Sequence, residues 1–134
     1  KYALIKALIC LKEFWFRSVE SLKTLDGISV EQGLVNCMDD EGLFLSIVGM
    51  YIEQINEYLP LLTAHFDNKA WEEYGKIAHS IKGASASVGT FVIQELSAEL
   101  EQSAKQQNFD LITEKHEQYM ALLGSTLEKL QGCL

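Results

Sequence analysis

Residues 70 to 88 run Ala70-Trp71-Glu72-Glu73-Tyr74-Gly75-Lys76-Ile77-Ala78-His79-Ser80-Ile81-Lys82-Gly83-Ala84-Ser85-Ala86-Ser87-Val88. Read as a helix over 69 to 88, the segment puts Ala70, Tyr74, Ile77, Ile81, Ala84 and Val88 at spacings of 4, 3, 4, 3 and 4. That is one continuous apolar stripe. At about 100° per residue, His79 lies about 180° from the centre of the stripe and points to solvent. Its neighbours on the outer face are Gly75, Lys76, Lys82 and Gly83, with Ala86 a turn further on. Glycine inside a helix costs about 1 kcal/mol relative to alanine. Two of them beside one exposed histidine imply clearance, an imidazole left proud for another protein to close over.

The same periodicity extends in both directions. Leu4, Leu8, Leu11, Trp15, Ser18, Leu22 and Leu25 outline a first helix over 2 to 25. Ile5, Ile9, Phe14, Phe16 and Val19 broaden its apolar surface, so it must pack on more than one side. Asp26-Gly27 ends it. Ser29, with Gln32 three residues on, caps a short helix to about Cys37. Asp39-Asp40 opens a long helix with the stripe Phe44, Val48, Tyr51, Ile55, Leu59, Leu62 and Phe66, in which Pro60 predicts a kink or a short break. Asp67-Asn68 turns into the histidine helix and Gly89 closes it. Thr90 caps the next helix, with Ile93, Leu96, Leu100 and Ala104 inward. Asn108 and Phe109-Asp110 mark a last turn. Ile112, His116, Tyr119, Leu123, Thr126 and Leu130 line the final helix. The expected fold is all-α: an antiparallel four-helix bundle over 27 to 134, with residues 1 to 26 as an additional N-terminal packing or linker helix.

Composition supports this class. The 134 residues are 48% hydrophobic with one Pro, and no period-2 pattern persists. A net charge of −8 argues against nucleic acid or an anionic membrane as a main partner. No run approaches the roughly 18 apolar residues of a membrane helix, and the N-terminus lacks the cleavage site of a signal peptide. Cys10, Cys37 and Cys133 have no paired spacing, and read as reduced, mostly buried thiols of a cytoplasmic domain. A di-iron bundle needs Glu-x-x-His pairs. The residues three before His65, His79 and His116 are Leu62, Lys76 and Thr113, so no metal site is expected. Trp15, Trp71, Tyr51 and Tyr58 read as packing residues, and His116 as a boundary core residue. No phosphate-cradling glycine loop or kinase signature occurs, so no ATP site is expected.

Lys82 shares the face of His79 and can reach an anion on its ring, and Lys76 adds a second positive charge. Ala-His-Ser-Ile-Lys-Gly-Ala-Ser-Ala-Ser-Val-Gly (78 to 89), followed by Leu96 and Leu100-Glu101, closely resembles the histidine-containing phosphotransfer (HPt) domain of bacterial multistep phosphorelays. Ile81 for leucine is the one change in the core motif. Gly27-Ile28-Ser29-Val30-Glu31-Gln32-Gly33-Leu34 resembles the segment leading into such domains, so the likeness spans 27 to 131. It implies His79 as phosphoacceptor, Lys82 on the phosphoryl oxygens and Gly83 as room for the partner. Glu101 either orients the ring or is an exposed helix glutamate. The implied partner is a response-regulator receiver domain bringing the phosphoaspartate and the Mg²⁺. This domain itself binds no cofactor and is not an enzyme. The non-Met start and the extra helix lean toward a hybrid sensor kinase as parent, with this domain on the cytoplasmic side. The alternative is an unphosphorylated docking or dimerisation module, with self-association through residues 2 to 25.

Overall fold

A computed structural model describes residues 19–134. Residues 19–23 are helical, and five helices follow: α1 (Val30–Asn36), α2 (Glu41–Asp67), α3 (Trp71–Val88), α4 (Phe91–Lys105) and α5 (Phe109–Cys133). Among the described residues there is no strand, and no helix is long and apolar enough to cross a membrane. The long helices pack α2 on α3, α3 on α4, α4 on α5 and α5 back on α2, with α3 and α4 the most extensive pair. Loops too short for a crossover join them, so the chain runs up and down a closed four-helix bundle. Short α1 lies across α2 and α3.

The helix starts follow local chemistry. Ser29 Oγ accepts from the Gln32 amide, and Asp40 Oδ1 from the Leu43 amide. Gly89 closes α3 in the left-handed region (φ 84°), and a side chain there would collide with the Ser29 carbonyl oxygen. The Ser29 amide donates to the Gly89 carbonyl at 2.7 Å, tying α1 to the α3–α4 turn. Thr90 occupies the N-cap position of α4 without capping it. Its hydroxyl is drawn inward to Tyr51 Oη (3.2 Å) and the Ser85 carbonyl (3.3 Å), in a buried polar knot.

Several expectations shift. The histidine helix starts at Trp71, so Ala70 drops out of its stripe into the N-cap. α2 runs unbroken through Pro60. Proline leaves the Asn56 carbonyl without its helical donor, but both residues lie on the exposed face, where water replaces the bond. Phe109 and Asp110 belong to α5 rather than to a turn, and Leu127 takes the buried place assigned to Thr126. Val19 and Leu22 join the core. The self-association expected of residues 2–25 falls mostly outside the described residues, as do Cys10 and Trp15. Cys37 is buried and Cys133 half-buried; both are free.

Candidate functional site

The buried face of α3 is Tyr74, Gly75, Ile77, Ala78, Ile81, Ser85 and Val88. His79 lies opposite, its side chain 66% exposed. Beside α3, α4 buries Ile93, Leu96, Ser97, Leu100, Glu101 and Ser103. Glu101 follows Ser97 by one helical turn and directly follows Leu100, so its side chain enters the seam between the helices at 8% exposure.

That carboxylate organises the site. Its Oε2 lies 2.5 Å from His79 Nδ1, and its Oε1 lies 2.9 Å from Lys82 Nζ and 3.6 Å from Lys105 Nζ. A carboxylate can only accept here, so Nδ1 holds the ring proton and donates it. The lone pair then sits on Nε2, which no described residue engages. Burial pushes the Glu101 carboxyl up, but the hydrogen bonds from Lys82 and His79 outweigh burial and hold it below its usual value. Glu101 therefore stays an anion, fixing both the orientation and the tautomer of the histidine.

Beside His79 opens a groove of about 700 Å³ between the start of α3 and the end of α4. Gly75 and Ala104 line it, as do Trp71 and Phe109, which stack at 5.3 Å. Trp71 packs against the core as expected and also lines the groove. The aromatic wall depends on Phe109 from a different helix, a proximity no local spacing encodes.

Gly83 stands on the outer face, with open space around the place a side chain would fill. Gly75 does not. It is buried, and a Cβ there would lie 2.8 Å from Ala104 Cβ. Its lack of a side chain serves the close approach of α3 and α4, not clearance over His79. Lys76 is exposed but engaged with Glu73 at 3.3 Å and Glu72 at 3.9 Å, one turn back on its own helix. Its charge is answered there rather than aimed at the imidazole. Ala86 lies two turns beyond His79, where its carbonyl accepts from Asn36 Nδ2 at 3.3 Å. Glu101 is buried against His79 and Lys82 rather than an exposed glutamate. His116 is buried, stacked on Phe66 at 3.8 Å, with Nδ1 2.9 Å from Tyr74 Oη. Among the described residues, no three His, Cys, Asp or Glu side chains cluster closely enough to hold a metal ion.

A four-helix bundle that presents a solvent-facing histidine, held through one ring nitrogen so that the other is free, has the form of a phosphotransfer module. The chain belongs to the Hpt domain family: the model of that family matches residues 46–132, which contain α3, α4 and the whole His79–Glu101–Lys82 arrangement. The match begins inside α2, so Gly27–Leu34 lies outside it. In fold the chain is similar to the HPT domain of the Hpt sensor hybrid histidine kinase from Shewanella, with a TM-score of 0.73. Sequence identity is 16%, and the alignment covers 79% of this chain and 92% of that one. No curated protein matches the sequence. Hpt domains are phosphocarrier modules rather than catalysts, and they work with receiver domains. The role of this chain is histidine phosphotransfer in a phosphorelay.

Proposed function

We propose that His79 is the phosphoacceptor, taking a phosphoryl group from the phosphoaspartate of a receiver domain and passing it to the aspartate of another. The observation that carries this reading is the Glu101–Nδ1 hydrogen bond, which leaves Nε2 as the nucleophile on the exposed side. Nε2 attacks in line. The Nε2–P bond forms as the P–O bond to the receiver's aspartate breaks, and the released carboxylate keeps the electron pair. The Nδ1 proton stays on the ring, whose new positive charge faces Glu101. Lys82 neutralises the phosphoryl oxygens. Both an acyl phosphate and a phosphohistidine are high-energy forms, so the step runs either way.

The receiver supplies the Mg²⁺ and most of the transition-state stabilisation, consistent with a domain lacking any kinase signature. Gly83 gives the receiver room. Lys76 and Ala86 belong to the rim of the docking face, whereas Gly75 contributes only through helix packing. Residues 27–134 form the phosphotransfer domain, with 1–26 leading into it as a packing helix, since Val19 and Leu22 belong to its core. We place it on the cytoplasmic side of its cell, in a hybrid sensor kinase.

Phosphate uptake from a labelled, phosphorylated receiver tests the central step. The wild type is expected to take up label that is lost in acid and survives alkali, and His79→Gln to take up none. Label persisting in the variant would assign the wrong residue. A wild type unlabelled by several receivers would favour a docking module.

A further inference from the structure

Glu101 has more cationic partners than a resting histidine needs. Its Oε2 is taken by His79, while Oε1 faces two ammonium groups, Lys82 at 2.9 Å and Lys105 at 3.6 Å. Only Lys82 is within hydrogen-bonding distance. Lys105 lies one turn beyond Glu101 on α4, is 67% exposed, and has no other carboxylate partner among the described residues.

We propose that Lys105 is a positioning residue that takes over Glu101 Oε1 when Lys82 leaves it for the phosphoryl group. The proposal rests on the reading of His79 as phosphoacceptor. A phosphoryl group on Nε2 brings close to two negative charges beside an anionic Glu101. Lys82, one turn from His79 on the same face, is the cation best placed to reach its oxygens. Its departure would leave Oε1 of a buried carboxylate without a cation, with only the ring's charge at Oε2, which is unfavourable unless another cation replaces it. Lys105 needs to move less than a bond length to form that contact, and its exposed stem is free to do so. Lys76 cannot serve, being engaged with Glu72 and Glu73 on the previous turn. The two lysines thus divide the work: one follows the phosphate and the other keeps Glu101 charged and His79 oriented.

The test is the equilibrium ratio of phosphohistidine to receiver phosphoaspartate in wild type, Lys105→Gln, Lys105→Arg, Lys82→Gln and the Lys82→Gln/Lys105→Gln double variant. Lys105→Gln should lower the ratio about 2- to 5-fold and leave the thermal midpoint unchanged. Lys105→Arg should restore the ratio. In the Lys82→Gln background, where no lysine leaves Oε1, removing Lys105 should have no further effect on the ratio. An equal drop in both backgrounds would overturn the exchange in favour of a general effect of positive charge. An unchanged ratio in Lys105→Gln alone would also overturn it. A wild type that takes up no acid-labile label would overturn the assignment of His79 together with the exchange; these last failures are therefore distinguishable.

Discussion

The proposed division of nucleophile and orientation between His79 and Glu101, on two helices, has a measurable consequence. Glu101→Ala removes the acceptor for Nδ1–H, so the ring loses both its preferred tautomer and its fixed direction. The rate of label uptake should fall about 10- to 100-fold, as for other groups that orient a reacting histidine. Glu101→Gln should fall less, because an amide oxygen still accepts from Nδ1. A stopped-time labelling series on the two variants reads the difference, and equal rates in wild type and Glu101→Ala would deny Glu101 any orienting part. His79 was legible in sequence because a polar residue opposite an apolar stripe has one direction to point. Glu101 was reached only through the family resemblance and with its role left open, since Leu96, Leu100 and Ala104 account for an inward face without it. The spacing from Ser97 and the adjacency to Leu100 are the signals that place it in the seam. Its partners, Lys82 and Lys105, follow only once α3 and α4 are laid together.

The pairing of α3 with α4 explains why two glycines alike in sequence do different things. Gly75 meets Ala104 across the seam, with no room for a methyl group. Gly75→Ala should destabilise the domain by about 1–3 kcal/mol through overpacking, and Ala104→Gly in the same chain should recover part of that loss. Gly83 has open space around it, so Gly83→Ala should raise stability by about 0.5–1 kcal/mol through helix propensity. If Gly83 keeps the docking face clear, that more stable variant will transfer phosphate more slowly. Chemical denaturation and labelling on the same preparations separate the two glycines, and opposite stability effects are the expected pattern. Helical periodicity alone gives both residues the same outer-face assignment, because Gly75 lies at the edge of the stripe and only the Ala104 side chain across the seam shows which side is occupied.

For the molecule as a whole, two buried groups make stability depend on pH in the same direction. His116, packed on Phe66 and bonded to Tyr74, is held below the usual 6.5 by burial, against the opposing pull of Asp67 and Glu117. The unfolded chain takes up a proton near 6.5 while the folded one does not, so stability is full above that value and falls as the pH drops through it toward the folded value. Glu101 is depressed below 4.5, so its contribution is present above 4.5 and is lost in acid as the pH falls through its folded value. The thermal midpoint should therefore decline between about pH 7 and pH 5. His116→Gln, which keeps a partner for Tyr74, should flatten that decline and leave the acid limb. A variant with an unaltered pH profile would remove His116 from the account.

Among residues 27–134, helix number and order, the caps at Ser29 and Asp40 and the direction of His79 follow from the sequence by itself, because each depends on residues within a turn or two of one another. The stripe of α3, Ser29 and Asp40 at their helix starts, and Gly89 at φ 84° are local matters of spacing and backbone freedom. Tertiary structure alone decided that Gly75 is packing rather than clearance, that Trp71 and Phe109 wall one groove, and that one buried carboxylate gathers His79, Lys82 and Lys105. Those relations join residues on different helices. They depend on the rotation and closeness of α3, α4 and α5, which the packing of whole helix faces determines and no stretch of chain contains.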